Sequence, residues 1–183
     1  MNVPALLLYL LMTLPLTAET THSLGYDGFS FEPPASWPQL STEQFRIQIL
    51  KPVTGTVSSS TRWIPHPKVA FQAPDSSLCV VSFLEPRGAV SADPGLEIVD
   101  GFELQLKPLG TVSRVDVQAH GLTLHQVRVV SKSMFILKTV FRTTTGKVAQ
   151  IDLYVPIDRL DTQRAALETS LTSLSPSTEK SSP

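Results

Sequence analysis

The sequence predicts an α+β domain with an antiparallel β-sheet and segregated helices. Three observations point there. Four alternating, β-branched runs follow one another between Thr111 and Val155, separated by short breaks. A further pair of strand-like runs forms a hairpin upstream, and two amphipathic segments, Pro94–Lys107 and Asp158–Ser173, stand apart from the strands. Runs of strands with segregated helices indicate α+β order, whereas a parallel α/β sheet alternates the two strand by strand.

In chain order, the first element is the stretch "DGFSFEPPASW", Asp27 to Trp37. Phe29 and Phe31 lie on the same side of an extended chain, so both can enter one core. Pro33 and Pro34 end the strand, because proline donates no ladder hydrogen bond. Trp37 is expected to pack back beneath that exit. Ser36 to Pro67 is rich in Pro, Ser and Thr and reads mainly as loop. Within it, Glu43–Leu50 fits either an alternating strand or a short helix.

The hairpin is "KVAFQA" and "LCVVSFLE" joined by "PDSS", a turn composition. The helix from Pro94 to Lys107 starts on Asp93 as N-cap, with Pro94 at the first helical position, where a missing N–H costs nothing. Leu96, Val99, Phe102 and Leu106 form its apolar stripe. Glu97 and Lys107 complement the macrodipole, and Gly110 lies just past the end. Gly101 in mid-helix costs ~1 kcal/mol against alanine, so this helix depends on packing. The four later strands are "TVSRVDVQ", "LTLHQVRVVSK", "MFILKTVFRTT" and "KVAQIDLYV", with breaks at "HG", "KS" and "TG" short enough for antiparallel neighbours. Asp158 is expected to cap the last helix, whose Leu160, Leu167, Leu171 and Leu174 fall near one face.

The 183 residues suit one domain, and 42% apolar with 17% charged side chains is an ordinary globular composition. A net charge of −1 gives no global reason to expect nucleic acid or an anionic membrane as partner. With one cysteine, Cys79, no internal disulfide framework is possible. The first eighteen residues carry no charged side chain, and the apolar run Ala5–Leu16 is about half the length of a bilayer-spanning helix. This suits an export signal ending at Ala18, although it has no Lys or Arg before the apolar run and a bulky Leu16 at the −3 position. The expected organisation is a signal at residues 1–18, a leader at 19–26, one domain at 27–175 and a disordered tail at 176–183. The mature chain is then secreted or periplasmic, without stable membrane insertion.

"GFSFEPPASW" resembles the Phe-Ser-Phe-x-x-Pro-x-x-Trp opening of the PsbP-like and DcrB-like superfamily. "LYVPIDRLDTQRAALETSLTSL" is similar to the turn and C-terminal helix that close those domains. The resemblance spreads over most of Asp27 to Ser175. It implies an antiparallel β-sheet flanked by helices, an α/β/α sandwich, and a noncatalytic role as an extracytoplasmic subunit. Photosystem members assist an oxygen-evolving centre, and DcrB members are envelope lipoproteins. This chain departs from both. It has no transit peptide rich in Arg and Ser, and no cysteine near the cleavage point for a lipid anchor. Fold transfers across such a resemblance better than function does.

Motifs for catalysis are absent: no Gly-x-Ser-x-Gly, no P-loop, no Gly-x-Gly-x-x-Gly and no His-Glu-x-x-His. No cofactor is implied. Cys79 sits in the apolar run "SLCVVSF", the setting of a buried thiol rather than a reactive one. His66, His120 and His125 are the candidates for a metal site, with His120 and His125 at a strand turn and on the following strand. Trp63, in "RWIPHP", is either a recognition anchor in a polar loop or a ring folded over the core.

Charge is distributed unevenly. Arg114, Arg128, Lys132, Lys138, Arg142 and Lys147 cluster between residues 114 and 147 with Asp116 alone, while acids dominate from Asp75 to Glu103. Alternation places Lys138 and Arg142 opposite Phe135, Leu137 and Phe141, and Gln150 and Asp152 opposite Ala149, Ile151 and Leu153. One sheet face is therefore expected to be apolar. The other is basic with Met134, Ile136 and Val140 embedded, either as a solvated face with cross-strand pairs or as a docking surface for an acidic protein. Arg114, Arg128, Lys138, Arg142 and Trp63 are the expected partner-binding residues. The leading functional expectation is a noncatalytic binding or accessory protein of an envelope or extracellular complex. The alternatives are a secretion-associated chaperone and a small metal-dependent enzyme using the histidines.

Overall fold

The computed structural model describes residues 24–50, 62–89 and 91–177. The export signal, most of the leader and the end of the tail lie outside the described residues. Strand β1 (Leu24–Tyr26) pairs antiparallel with β2 (Phe29–Phe31), which also pairs with β9 (Ser175–Pro176). The fold thus takes in three residues expected to be leader, and the first residue of the expected tail.

The main sheet contains β3 (Trp63–Gln72), β4 (Leu78–Pro86), β5 (Thr111–Ala119), β6 (Leu122–Val130), β7 (Met134–Arg142) and β8 (Val148–Pro156). Their order is β3-β4-β8-β7-β6-β5, antiparallel throughout. After the first hairpin the chain crosses to the far edge, and the meander returns strand by strand until β8 closes against β4. Helix α2 (Pro94–Leu106) makes that crossing and packs on β5, β6 and β7.

Alternation along the strands divides the core in two. On one face, Phe71, Cys79, Val81, Leu137, Phe141, Ile151 and Leu153 pack with Phe29, Phe31 and Trp37 and with Leu167 of α3 (Leu160–Thr172). The Phe29 ring stands edge-on to Phe141 with centroids 5.1 Å apart. On the other face, Val127, Val129, Ile136 and Val140 pack beneath Ile98, Val99 and Leu106 of α2. The result is the expected α/β/α arrangement.

Of the two forms open to Glu43–Leu50, the helical one is found: α1 (Thr42–Phe45) starts on a Ser41–Gln44 capping box and continues into a π-helical turn, Arg46–Leu50. Three details differ from expectation. "WIPHP" is strand rather than loop. β3 is an edge strand, where Pro65 and Pro67 remove no needed hydrogen bond, and a bulge between Pro67 and Val69 shifts the register. The buried stripe of α2 is Gly95, Ile98, Val99 and Leu106, while Leu96 is exposed. Gly95 sets this rotation, because a Cβ there would overlap the His125 ring. Finally, Asp158 does not cap α3. It lies in a 3₁₀ turn, Ile157–Arg159, that leads into the helix without a side-chain cap.

Candidate binding cleft

Helix α2 covers only the β5–β7 part of its sheet face. Over β3, β4 and β8 the same face forms the floor of a cleft of about 590 Å³, walled by α2 and by the π-helical turn. The bulge in β3 helps create it. The extra residue, Lys68, reverses the alternation, so Trp63, Pro65 and Pro67 face the cleft although Val69 and Phe71 face the opposite core. Trp63, Val80, Leu84, Ile98 and Phe102 supply apolar walls.

The floor is polar and buried. Lys138 Nζ donates to Asp152 Oδ2 at 2.9 Å and to the Tyr154 hydroxyl at 3.2 Å. Gln150 Nε2 donates to the same Asp152 oxygen at 2.7 Å, and the Tyr154 hydroxyl donates to it at 3.3 Å. The Lys138 and Asp152 side chains are only 12% and 10% exposed, so this is a buried ion pair rather than a surface one. The ammonium also lies 4.8 Å from the Phe102 ring centroid. Register explains the constellation: Lys138 of β7 is the direct cross-strand partner of Asp152 of β8, and Gln150, Asp152 and Tyr154 share one face.

Every donor converges on one carboxylate oxygen. Asp152 Oδ1 and Gln150 Oε1 have no hydrogen-bond partner among the described residues, and neither has Glu97 Oε2 on α2. The amide orientation of Gln150 follows from its neighbour, since the reverse would set an oxygen against the carboxylate. At the mouth, the other Glu97 oxygen pairs with Arg62 Nη1 at 3.0 Å. Three acceptors without a hydrogen-bond partner among the described residues thus belong to side chains around one cleft. Gly101 completes the wall. A Cβ there would meet nothing within 4 Å, so alanine would fit and would favour the helix by ~1 kcal/mol. Packing does not require this glycine, and its effect is to keep the wall low.

Lys138, Tyr154 and Cys79 are each held away from neutrality. Burial works to lower the Lys138 pKa, but the Asp152 carboxylate and the Tyr154 hydroxyl outweigh it and hold the ammonium above its ordinary range. The Asp152 charge and burial together raise the Tyr154 phenol. Burial, reinforced by the Asp152 charge, pushes the Cys79 thiol far up, and its side chain lies wholly inside the opposite core. General acid–base or thiolate chemistry needs a group that titrates near the working pH.

The residues singled out in the sequence are dispersed. Lys138 is in the cleft floor, and Trp63 is buried in its wall rather than displayed in a loop. Arg114 pairs with Asp100 at 2.6 Å, tying β5 to α2. Arg142 is exposed on the α2 side of the sheet, beside a second hollow lined also by His66, Lys68 and Lys147. Arg128 lies directly across from Leu137 and so points to the α3 side. The four basic residues therefore do not form one surface: α2 covers much of the face, and its acids neutralise part of the charge.

The histidines do not converge. His66 lies on β3 beside Glu85, 3.1 Å away. His125 lies on β6 with Nδ1 2.9 Å from Asp116 Oδ1. His120 is exposed at the β5–β6 turn with a φ of 50°. β3 and β6 are four strand spacings apart, about 19 Å. Among the described residues no group of three His, Cys, Asp or Glu side chains is placed to hold a metal ion. Nor is any described helix long and apolar enough to cross a membrane.

Asp152, Gln150, Tyr154, Glu97 and Gly101 were not identified as site residues from sequence. The available signal was a run of polar side chains at alternate positions of β8, a strand whose other face is wholly apolar.

No family model and no curated protein matches the chain. Solved structures do. The solution structure of cyanobacterial PsbP (CyanoP) from Synechocystis sp. PCC 6803 is 16% identical, with a TM-score of 0.48, over 82% of this chain and 89% of that one. The crystal structure of LpqN, involved in cell envelope biogenesis of Mycobacterium tuberculosis, is 12% identical. Its TM-score is 0.50, over 85% of this chain and 87% of that one. The likeness is one of fold alone: LpqN shares the antiparallel sheet between helices.

Proposed function

We propose that the chain is a noncatalytic extracytoplasmic binding protein, an accessory component of an envelope or extracellular complex, and that it binds through the cleft beside α2. One observation carries this reading: an apolar-walled cleft whose floor is a locked, buried Lys138–Asp152–Gln150–Tyr154 cluster. A concave apolar site with a few convergent polar groups is the usual form of a ligand pocket. Groups pinned far from neutrality suit recognition better than proton transfer. The envelope role of LpqN, a protein of the same fold, accords with an extracytoplasmic setting. A chaperone for long apolar segments fits less well, because a buried charge pair interrupts the apolar floor.

A second reading is favoured by the hollow of about 910 Å³ at the edge of the sheet, where Lys68 and Arg142 stand beside Lys147, which pairs with Asp27, and His66, which pairs with Glu85. There an acidic protein partner would dock, with Arg142 as its contact.

The test is affinity recovery of the chain from the extracytoplasmic fraction of cells that produce it, in wild-type and Gly101→Trp forms. Mass spectrometry then identifies the retained small molecules and proteins. Tryptophan at position 101 fills the cleft from a site with open space around its Cβ. A molecule retained by the wild type and lost from Gly101→Trp is the expected result. The same set recovered with both forms would overturn the cleft reading.

A further inference from the structure

We infer that the cleft selects a ligand with an apolar body and a hydrogen-bond-donating head group, an amine or a hydroxyl, and rejects one headed by a carboxylate. This rests on the cleft being the binding site and adds the chemistry of its occupant. The three unpartnered polar atoms that line the cleft are all acceptors: Asp152 Oδ1, Gln150 Oε1 and Glu97 Oε2. Asp152 and Gln150 are themselves more than nine-tenths buried.

The donors of the floor and mouth serve other atoms. Lys138 serves Asp152 Oδ2 and Tyr154, the Gln150 amide serves the same Asp152 oxygen, and Arg62 is shared between the other Glu97 oxygen and the Ala89 carbonyl. A head group that brings donors restores the missing bonds. One that brings only acceptors adds to the deficit and sets a negative charge against two carboxylates. The charges of the cleft cancel within the Lys138–Asp152 and Arg62–Glu97 pairs, so no net positive field rescues an anion. The apolar body is set by the walls, where Trp63, Val80, Leu84, Ile98 and Phe102 leave a space flanked by carbon.

The probes are 1-hexylamine, 1-hexanol and hexanoate, which share a chain and differ in the head. Binding to the full chain is followed by amide chemical shifts of residues 80–84 and 98–105. The amine or the alcohol is expected to bind at least about 10-fold more tightly than hexanoate, or about 1.4 kcal/mol. The arm that binds best separates an ammonium from a hydroxyl ligand. Glu97→Gln and Gln150→Met, which each remove an acceptor, should shrink that preference, and Glu97→Gln does so at the cleft mouth with little demand on folding.

Hexanoate binding as tightly as the others, but blocked by Gly101→Trp, overturns the head-group inference and leaves the cleft as the site. A preference unchanged in both acceptor variants overturns it as well. Binding of every probe that persists in Gly101→Trp, or binding of none, overturns both this inference and the cleft reading.

Discussion

Lys138→Met, which removes the ammonium and keeps most of the side-chain volume, is expected to destabilise the fold by about 3–5 kcal/mol. The cost comes mainly from what is left behind. Asp152 is 7% exposed, and without Lys138 its charge stays buried with only the Gln150 amide and the Tyr154 hydroxyl for compensation. The double variant Lys138→Met/Asp152→Leu should recover most of the loss, because replacing a whole buried pair by apolar groups is often neutral or stabilising. Urea denaturation of the wild type, both single variants and the double variant closes the cycle. A single-variant loss below ~1 kcal/mol would mean that the pair is solvated and the floor is not a buried cluster. The pair is also no neutral-pH switch. Lys138 has a folded pKa above its ordinary value, so its stabilisation is fully present below the unfolded lysine value and is lost only as the pH rises through the still higher folded one.

Trp37→Ala is expected to cost about 3–5 kcal/mol. The indole is 5% exposed and packs in the same cluster as Phe29, Phe31 and Leu167. Its Nε1 donates to Gln163 Oε1 at 3.1 Å, and Gln163 Nε2 donates in turn to Asp75 Oδ2 at 2.7 Å. One ring therefore joins the β2 exit to α3 and to the β3–β4 turn. Trp37→Phe keeps an aromatic ring and removes the donor, so it should cost much less, with about 1 kcal/mol assigned to the hydrogen bond. Chemical denaturation of both variants measures this. A loss below ~1 kcal/mol for Trp37→Ala would mean that the ring does not hold the β2 exit against the core.

Much of the fold was legible because it rests on local periodicity. The meander from Thr111 to Val155 reads as four β-branched and aromatic runs of strand length, and short breaks leave antiparallel pairing as the natural connection. The Phe29–Trp37 stretch was legible for the same reason, as two same-face rings followed by a proline stop. "WIPHP" misled because proline signals a loop in general, and its tolerance on an edge strand depends on sheet order, which no local pattern reveals. Leu96 misled because the rotation of α2 is set by the contact of Gly95 with a histidine 30 residues away.

The site was only half legible. Alternation placed Lys138, Gln150 and Asp152 on the face away from the main apolar core, but their mutual register and the partial cover by α2 are tertiary facts. What looked like a basic surface became a neutral buried pair once Asp152 was paired with Lys138 and Asp100 with Arg114. Gly101 read only as a weak point in a helix. Its open surroundings leave the cleft wall low at that point.

The most direct test of the central claim is amide hydrogen exchange on the chain in complex with whatever it retains from its own compartment, compared with the free chain. Binding through the cleft predicts added protection in residues 80–84, 98–105 and 150–154, with exchange along α3 unchanged. Protection confined to α3 or to the outer edge of β5, with none in those three segments, would contradict it.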